Sequence, residues 1–299
     1  MSSEAPKTGI DPAELFGLRD KGVLVTGATS LISLWTARLL LDVGARVVLT
    51  DRLDEAAIRG AVAALAAERG EPRLDLCDQV ALVGSVDVRN RKPADVPAGK
   101  SDSLRSVEQM VREAKASLGA IDVLINMAGG QEPVPAAALS TEVFRRTVDR
   151  ILVGTWNVVH EVFEQAMRDR GGRILSVTAD VAQGYPGMPA MGAARNGLEA
   201  LHRALSVEWA ELGITCCVIA PGATDTPGLR RYPEADRVRE LGIQAANLKR
   251  LLEPREVAWL FLCMASPWAV GVNGHTLVAN GGDSNVTPVF QQMRRLWAG

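Results

Sequence analysis

Short apolar runs alternate with longer stretches of helical spacing along this chain. The run VLVTGA (Val23–Ala28) is almost entirely apolar, and ARVVLTD (Ala45–Asp51) repeats that pattern. Between them, ISLWTARLLLDVG places apolar residues three and four positions apart and ends at Gly44, a typical residue after a helix. Because such apolar runs are typical of strands buried on both faces of a parallel sheet, the pattern predicts a strand–helix–strand unit.

The same alternation continues through the rest of the chain. Further strands are predicted over VALVGSVDV, AIDVLINMAGG, GRILSVTA, ITCCVIAPG and HTLVANGG, and long helices over about 141–170 and 191–212. This order predicts an α/β fold, namely a single Rossmann-like domain with a doubly wound parallel sheet and helices on both faces. We expect residues 1–17 to form an N-terminal arm and residues 18–299 to form the domain.

Composition excludes several classes of partner. The formal net charge of −2 gives no basic surface for nucleic acid or anionic membrane. No apolar run has the length of a membrane span, and the polar start MSSEAPKTGIDPAE does not resemble a signal peptide. We therefore expect a cytoplasmic protein that acts on a small molecule, without a nucleic-acid or membrane partner.

Cysteine and histidine spacing predicts no metal site. The four cysteines show no CxxC pattern, and the three histidines are scattered. Cys216 and Cys217 are neighbours in a predicted strand, so their side chains should point to opposite faces of the sheet.

Short motifs recur at the carboxyl ends of the predicted strands. They are TGATS (Thr26–Ser30), Asp51, Asp87-Val88, NMAG (Asn126–Gly129), Pro221-Gly222 with Thr226, and NGG (Asn280–Gly282). Their order and spacing resemble those of the short-chain dehydrogenase/reductase family over roughly residues 18–284. The resemblance implies an NAD-type Rossmann fold that binds ligands at this edge of the sheet.

The family's phosphate loop, TGxxxGxG, is altered in this chain. Gly27 keeps the first glycine, which lets the backbone approach a phosphate at a helix N-terminus, but Leu31 and Ser33 replace the next two. Leu31 should crowd the pyrophosphate, whereas Ser33 could donate its hydroxyl, as in divergent enoyl reductases of the superfamily. The resemblance implies these cofactor contacts: Gly27, Thr29, Ser30, Ser33, Asp51, Asp87, Val88, Asn126, Ala128, Gly129, Arg195, Pro221, Gly222 and Thr226.

Asp51 bears on the choice of cofactor. A carboxylate at the end of the second strand accepts hydrogen bonds from ribose hydroxyls and repels a 2′-phosphate, although the neighbouring Arg52 could tolerate that phosphate. We expect NAD(H), with NADP(H) as the alternative, and no cofactor if the altered loop has lost binding.

The family's catalytic residues are mostly replaced. Alignment with its Ser, Tyr, Lys and relay Asn gives Thr178, Met191, Arg195 and Ile151. Met191 has no ionisable proton, and Arg195 keeps its charge but hardly deprotonates, so the usual proton relay is predicted to be absent.

Other groups are candidates for the missing acid or base. Tyr185 is the best spare phenol, and Asp180, Gln131, Glu132 and Gln183 lie on loops after strands. Equally, Tyr185 could cover an apolar loop and Asp180 could pair with Arg195.

Three functions remain open from the sequence. The first is an NAD(H)-binding oxidoreductase that acts on a small carbonyl or hydroxyl substrate with a rewritten active site. The second is a non-redox enzyme on this scaffold, such as a lyase, dehydratase, isomerase or cyclase, and the third is a non-catalytic partner subunit. The resemblance also implies a substrate lid over about 224–253, and a homodimer or homotetramer formed through helices 141–170 and 191–212.

Overall fold

The computed structural model describes residues 11–76, 78–89, 105–130, 132–182, 184–232 and 234–285, together with residues 289 and 293. Cys77, Gln131 and Gln183 lie outside these ranges, as do residues 1–10 of the predicted arm. The described part of that arm contains a short helix, α1 (Pro12–Phe16). Leu15 O accepts a hydrogen bond from Trp268 Nε1 at 2.9 Å, which ties α1 to the domain.

Within the described residues, seven parallel strands form one sheet in the order β3-β2-β1-β4-β5-β6-β7. The strands are β1 (Gly22–Thr26), β2 (Arg46–Thr50), β3 (Ala81–Val83), β4 (Val123–Asn126), β5 (Gly172–Val177), β6 (Ile214–Pro221) and β7 (Thr276–Ala279). The order turns back between β1 and β4, which creates the crevice of a doubly wound sheet. The predicted Rossmann-like class is confirmed.

Helices cover both faces of this sheet. They are α2 (Leu31–Asp42), α3 (Glu55–Arg69), α4 (Val107–Leu118), α5 (Thr141–Val148), α6 (Gly154–Val162), α7 (Pro189–Glu208), α8 (Ala235–Ala245) and α9 (Pro254–Ala265). One apolar core lies under α2, α3 and α9, and a second lies under α4, α6 and α7. Cys216 belongs to the second core and Cys217 to the first, so the predicted alternation of these two side chains is confirmed.

Strand β3 is shorter than the sequence predicts. The predicted run VALVGSVDV continues past Val83, but Ser85 has a φ of 60°, which an extended strand does not allow. Ser85 N donates instead to Leu53 O at 2.6 Å. The chain therefore leaves the sheet at Gly84 and turns Asp87 toward the carboxyl edge.

The helix predicted over 141–170 is interrupted twice. Segments Asp149–Val153 and Phe163–Met167 are π-helical, and Arg168 N donates to Phe163 O at 2.9 Å, five residues earlier. Single π turns inside α-helices occur often at functional sites, because they change the direction of the side chains that follow. The first of them carries Arg150 and Ile151 beside the crevice.

Candidate active site

A cleft of about 780 Å³ lies at the carboxyl ends of the strands and collects most of the predicted site residues. The residues that line it include Gly27, Thr29, Ser30, Asp51, Asp87, Val88, Ala128, Gly129, Thr178, Asp180, Tyr185, Arg195, Pro221, Gly222 and Thr226. Ser33, Asn126 and Met191 are not among its lining residues. The predicted lid supplies part of the wall through Leu229, Tyr232 and Val238.

The phosphate loop joins β1 to α2 and leaves the start of α2 open to the cleft. Gly27 has a φ of 77°, and a Cβ there would lie 2.8 Å from Met127 O, so only glycine fits where the chain leaves β1 beside the end of β4. Ser30 precedes the helix without a side-chain cap, and Leu31 lines the cleft although it is only 2% exposed. The helix N-terminus can therefore receive an anion, as the family loop requires.

Ser33 lies in a different place from the one that the loop resemblance implies. Its side chain is fully buried on the sheet side of α2, and its Oγ lies 3.2 Å from Met127 Sδ. A hydroxyl on this face of the helix points into the core, so Ser33 does not present a donor to the cleft.

Asp51 connects β2 to the phosphate loop. Its Oδ2 accepts hydrogen bonds from Thr29 N and Thr29 Oγ1 at 3.2 and 3.0 Å. Its Oδ1 accepts from Arg52 N and Leu53 N at 2.8 and 3.4 Å. A carboxylate has about four acceptor positions, so a ribose hydroxyl would replace or share the contact of the Thr29 hydroxyl.

The part of the cleft predicted to hold adenine contains several arginines. Asp87 forms a two-point ion pair with Arg89, at 2.8 and 2.7 Å, and Val88 packs beside them against Gly154. Burial lowers the pKa of Arg150, and Arg89 lowers it further, whereas Glu132 raises it.

Glu132, a candidate acid or base, forms ion pairs with two arginines. It pairs with Arg146 and, at 3.6 Å, with Arg150. Both ion pairs turn the carboxylate of Glu132 toward arginine side chains, so this alternative acid or base loses support.

Asn126, a predicted cofactor contact, is buried at the end of β4. Its Oδ1 accepts a hydrogen bond from Thr26 Oγ1 at 3.4 Å, and its Nδ2 has no partner among the described residues. Thr26 Oγ1 also accepts from Ala128 N at 3.0 Å. Asn126 thus lies beneath the floor of the cleft rather than on its surface.

Thr178 follows β5 and faces the reaction end of the cleft. Its backbone N donates to Ile219 O at 2.9 Å, which fixes its position, and its Oγ1 donates to Glu199 Oε1 at 3.3 Å. Burial raises the pKa of Glu199, and hydrogen bonds from Thr276 and Thr178 oppose that shift. Sequence reasoning missed Glu199, although its spacing of four residues from Arg195 places both on neighbouring faces of α7.

Arg195 brings a positive charge to the same end. Burial lowers the pKa of its guanidinium, and the nearby Tyr185, Tyr232 and Glu199 raise it. Its Nε has no hydrogen-bond partner among the described residues. The side chain is therefore available to an anionic group on a ligand.

Two phenols flank this arginine. Burial raises the pKa of Tyr185, Arg195 lowers it, and Asp180 raises it. Burial also raises the pKa of Tyr232, to about 12, and its hydroxyl contacts Met188 Sδ at 3.5 Å. Both phenols therefore stay protonated at neutral pH and can donate a hydrogen bond.

Met191 occupies a small apolar core instead of the cleft surface. It is only 1% exposed and packs with Ile151, Met188 and Ala194. Tyr185 and Tyr232 cover this cluster from the cleft side. The position aligned with the family's tyrosine thus contributes packing here, and it holds no group for proton transfer.

Asp180 has a partner other than the one considered from the sequence. Its Oδ2 accepts a hydrogen bond from Asn280 Nδ2 at 2.7 Å, and Asn280 Nδ2 also donates to Ser284 Oγ at 2.8 Å. This contact joins the end of β5 to the NGG motif after β7.

Comparison with known proteins gives consistent matches along the chain. A family model described as enoyl-(acyl carrier protein) reductase matches residues 27–284. The peroxisomal 2,4-dienoyl-CoA reductase, (3E)-enoyl-CoA-producing, of Pongo abelii is 34% identical over 89% of this chain and 84% of that protein.

Two solved structures are also similar. The citronellol catabolism dehydrogenase AtuB of Pseudomonas aeruginosa PAO1 has a TM-score of 0.69 and 30% identity, covering 89% of this chain and 96% of that one. A short-chain dehydrogenase/reductase from Brucella melitensis, described as SDR:Glucose/ribitol dehydrogenase, has a TM-score of 0.72 and 27% identity, covering 90% and 98%.

The predicted cellular location stays a prediction. No helix in the described ranges is long and apolar enough to cross a membrane, and the name of the Pongo abelii relative refers to the peroxisome. The matches do settle the family, whose members bind a nicotinamide cofactor. This chain belongs to the short-chain dehydrogenase/reductase family of oxidoreductases.

Proposed function

We propose that this protein uses NAD(H) to reduce a conjugated carbon–carbon double bond in an enoyl or dienoyl thioester of coenzyme A. The single observation that carries the proposal is that Thr178 and Arg195 both line the cleft while position 191 holds no ionisable group. Similarity to a 2,4-dienoyl-CoA reductase over 89% of the chain supports the substrate class.

The chemistry of this reaction fits the residues that remain. When bound, the reduced nicotinamide supplies a hydride to the substrate. In a ketone the oxygen must gain a proton as hydride adds, which is why a phenol is needed there. In a conjugated thioester the proton goes to carbon, and the thioester oxygen only needs stabilisation while it carries enolate charge.

Each residue then has a defined role. Arg195 offers a cation to the enolate oxygen, and Thr178 offers a hydroxyl to the same atom. Tyr185, whose raised pKa keeps it protonated, is a further donor at that end of the cleft. We infer that the carbon receives its proton from water, because Arg195, Thr178 and Tyr185 are assigned to the enolate oxygen and position 191 holds no ionisable group. In this sense the active site is a rewritten form of the family's usual one.

The cofactor end favours NAD(H). Asp51 lines the cleft beside Thr29, where its charge repels a 2′-phosphate. Gly27 supports pyrophosphate binding, since no side chain fits at this position of the loop before α2.

The test is an NADH oxidation assay with three thioesters: 2,4-hexadienoyl-CoA, crotonyl-CoA and acetoacetyl-CoA. The proposal expects turnover of a double-bond substrate and little turnover of the ketone acetoacetyl-CoA. The reverse preference would favour a carbonyl reductase with Tyr185 as the acid. Absence of NADH binding in a fluorescence titration would instead favour a non-redox enzyme or a partner subunit.

We also propose that the protein forms a homodimer or homotetramer through helices 141–170 and 191–212. Trp156 and Val153 are 37% and 39% exposed on the first of these helices. They border a shallow apolar depression that Gly197 and Leu201 of α7 complete. Large exposed apolar side chains that adjoin such a depression are typical of subunit interfaces.

A further inference from the structure

Glu199 lies behind Thr178, just outside the set of residues that line the cleft. The half-buried carboxylate is not among the residues that line the cleft, yet it accepts a hydrogen bond from Thr178 Oγ1 at 3.3 Å. A hydrogen bond with the Thr276 side chain holds it from β7.

This hydrogen bond affects whether the Thr178 hydroxyl can donate to a substrate in the cleft. A threonine hydroxyl carries one hydrogen, and an ionised carboxylate can only accept. While Glu199 is ionised, the Thr178 hydrogen therefore points away from the cleft. A protonated Glu199 can donate to Thr178 Oγ1, which leaves the Thr178 hydrogen available to the cleft.

We propose that Glu199 is a positioning residue whose protonation turns the Thr178 hydroxyl toward the thioester oxygen of the substrate. This inference rests on the proposed function, because it concerns the oxygen of that substrate. Glu199 does not touch the substrate, and its proton stays within the pair. The enolate oxygen gains a hydrogen bond when Glu199 is protonated and loses it when Glu199 is ionised.

The groups around Glu199 determine the pH at which it loses its proton. Burial and the nearby Asp180 carboxylate raise its pKa, whereas Thr276, Thr178 and Arg203 lower it, with a net rise. Arg195 also faces it from one turn earlier on α7. Because the protonated form is the productive one, kcat/KM should fall as the pH rises through the pKa of Glu199.

The pH profile of kcat/KM tests the inference. The kcat/KM of the wild type should fall from one plateau to a lower one as Glu199 ionises, by about tenfold or more for the loss of one hydrogen bond to the enolate oxygen. Glu199→Gln should lack this loss, because its amide donates to Thr178 at every pH, and it should exceed the wild type at high pH. Glu208→Gln removes an exposed carboxylate from the end of the same helix and should keep the wild-type profile.

A flat wild-type profile, or a loss that persists in Glu199→Gln, would overturn the inference and leave the proposed function intact. If the wild type reduces no thioester, the proposed function is wrong. The dependence of Tm on pH then tests separately whether Glu199 is coupled to Thr178. A raised carboxyl pKa stabilises the fold at low pH and loses that effect as the pH rises. The Tm difference between wild type and Glu199→Gln should therefore fall with pH. Thr178→Val should enlarge that fall, because it removes a hydrogen bond that lowers the pKa of Glu199. Equal falls with and without Thr178 would refute the coupling.

Discussion

Replacing Arg195 with methionine should separate catalysis from stability. The substitution keeps much of the side-chain length and removes the guanidinium charge from the cleft. Hydrogen bonds to charged groups contribute about 1.5–3 kcal/mol. If Arg195 makes one such bond to the enolate oxygen, Arg195→Met should lower kcat/KM about 10- to 150-fold.

Stability should not fall with activity. Burial lowers the pKa of Arg195, which means that the folded state disfavours its charged form at every ordinary pH. Arg195→Met removes this penalty, and replacing a buried charge with an apolar side chain is often neutral or stabilising. We therefore expect a Tm equal to or above that of the wild type.

Three measurements on one preparation check this prediction: kcat/KM for 2,4-hexadienoyl-CoA, the Kd for NADH, and Tm by calorimetry. Arg195→Lys is the matched control, since it keeps the positive charge but not the planar guanidinium group. Its kcat/KM should lie between those of the wild type and Arg195→Met. A kcat/KM within about threefold of the wild type in Arg195→Met would refute the assignment of this cation to the enolate. A large drop in Tm would refute the argument from burial.

Three further substitutions test other parts of the cleft and the surface. Asp51→Ser removes the charge that repels a 2′-phosphate, so the ratio of kcat/KM for NADPH to that for NADH should rise about tenfold or more; an unchanged ratio would argue against Asp51 as the selector. Ser33→Ala should leave the Kd for NADH within about twofold, because the Ser33 hydroxyl faces Met127 Sδ, and a clear weakening would mean that the loop rearranges on binding. Trp156→Glu buries a charge in the proposed interface, so light scattering should show a smaller assembly, whereas an unchanged mass would exclude this surface.

Much of the fold follows from local pattern. The alternation of apolar runs and helical spacing predicts the parallel sheet, and the opposite burial of Cys216 and Cys217 follows from the two-residue period of a strand. The end of β3 at Val83 depends on the left-handed backbone of Ser85, which a run of apolar letters does not reveal. The π turns inside 141–170 have no signal in the pattern of apolar residues.

The candidate site also contains residues that the sequence predicts and residues that depend on the tertiary fold. Motifs predict residues that follow strands, such as Asp51 and Thr178, because strand ends meet at one edge of the sheet. Motifs do not predict which neighbour a residue on a helix faces. Successive positions four apart on a helix differ by about 40°, so Met191 faces the apolar cluster, Arg195 the cleft and Glu199 the side of Thr178. Glu199 also meets Thr276 from the far edge of the sheet, a contact that only the tertiary fold creates.

The apolar cluster around Met191 connects packing with the choice of reaction. Ile151 and Met188 of this cluster line the cleft together with the partly buried Arg195, and a charge interaction is stronger where water is excluded. A tyrosine at position 191 would bring a proton donor to a substrate oxygen and so permit reduction of a ketone. Methionine removes that donor while it keeps the low-dielectric wall that strengthens the contact between Arg195 and an enolate oxygen. The same replacement therefore disfavours carbonyl reduction and suits reduction at carbon, where only the enolate charge needs to be stabilised.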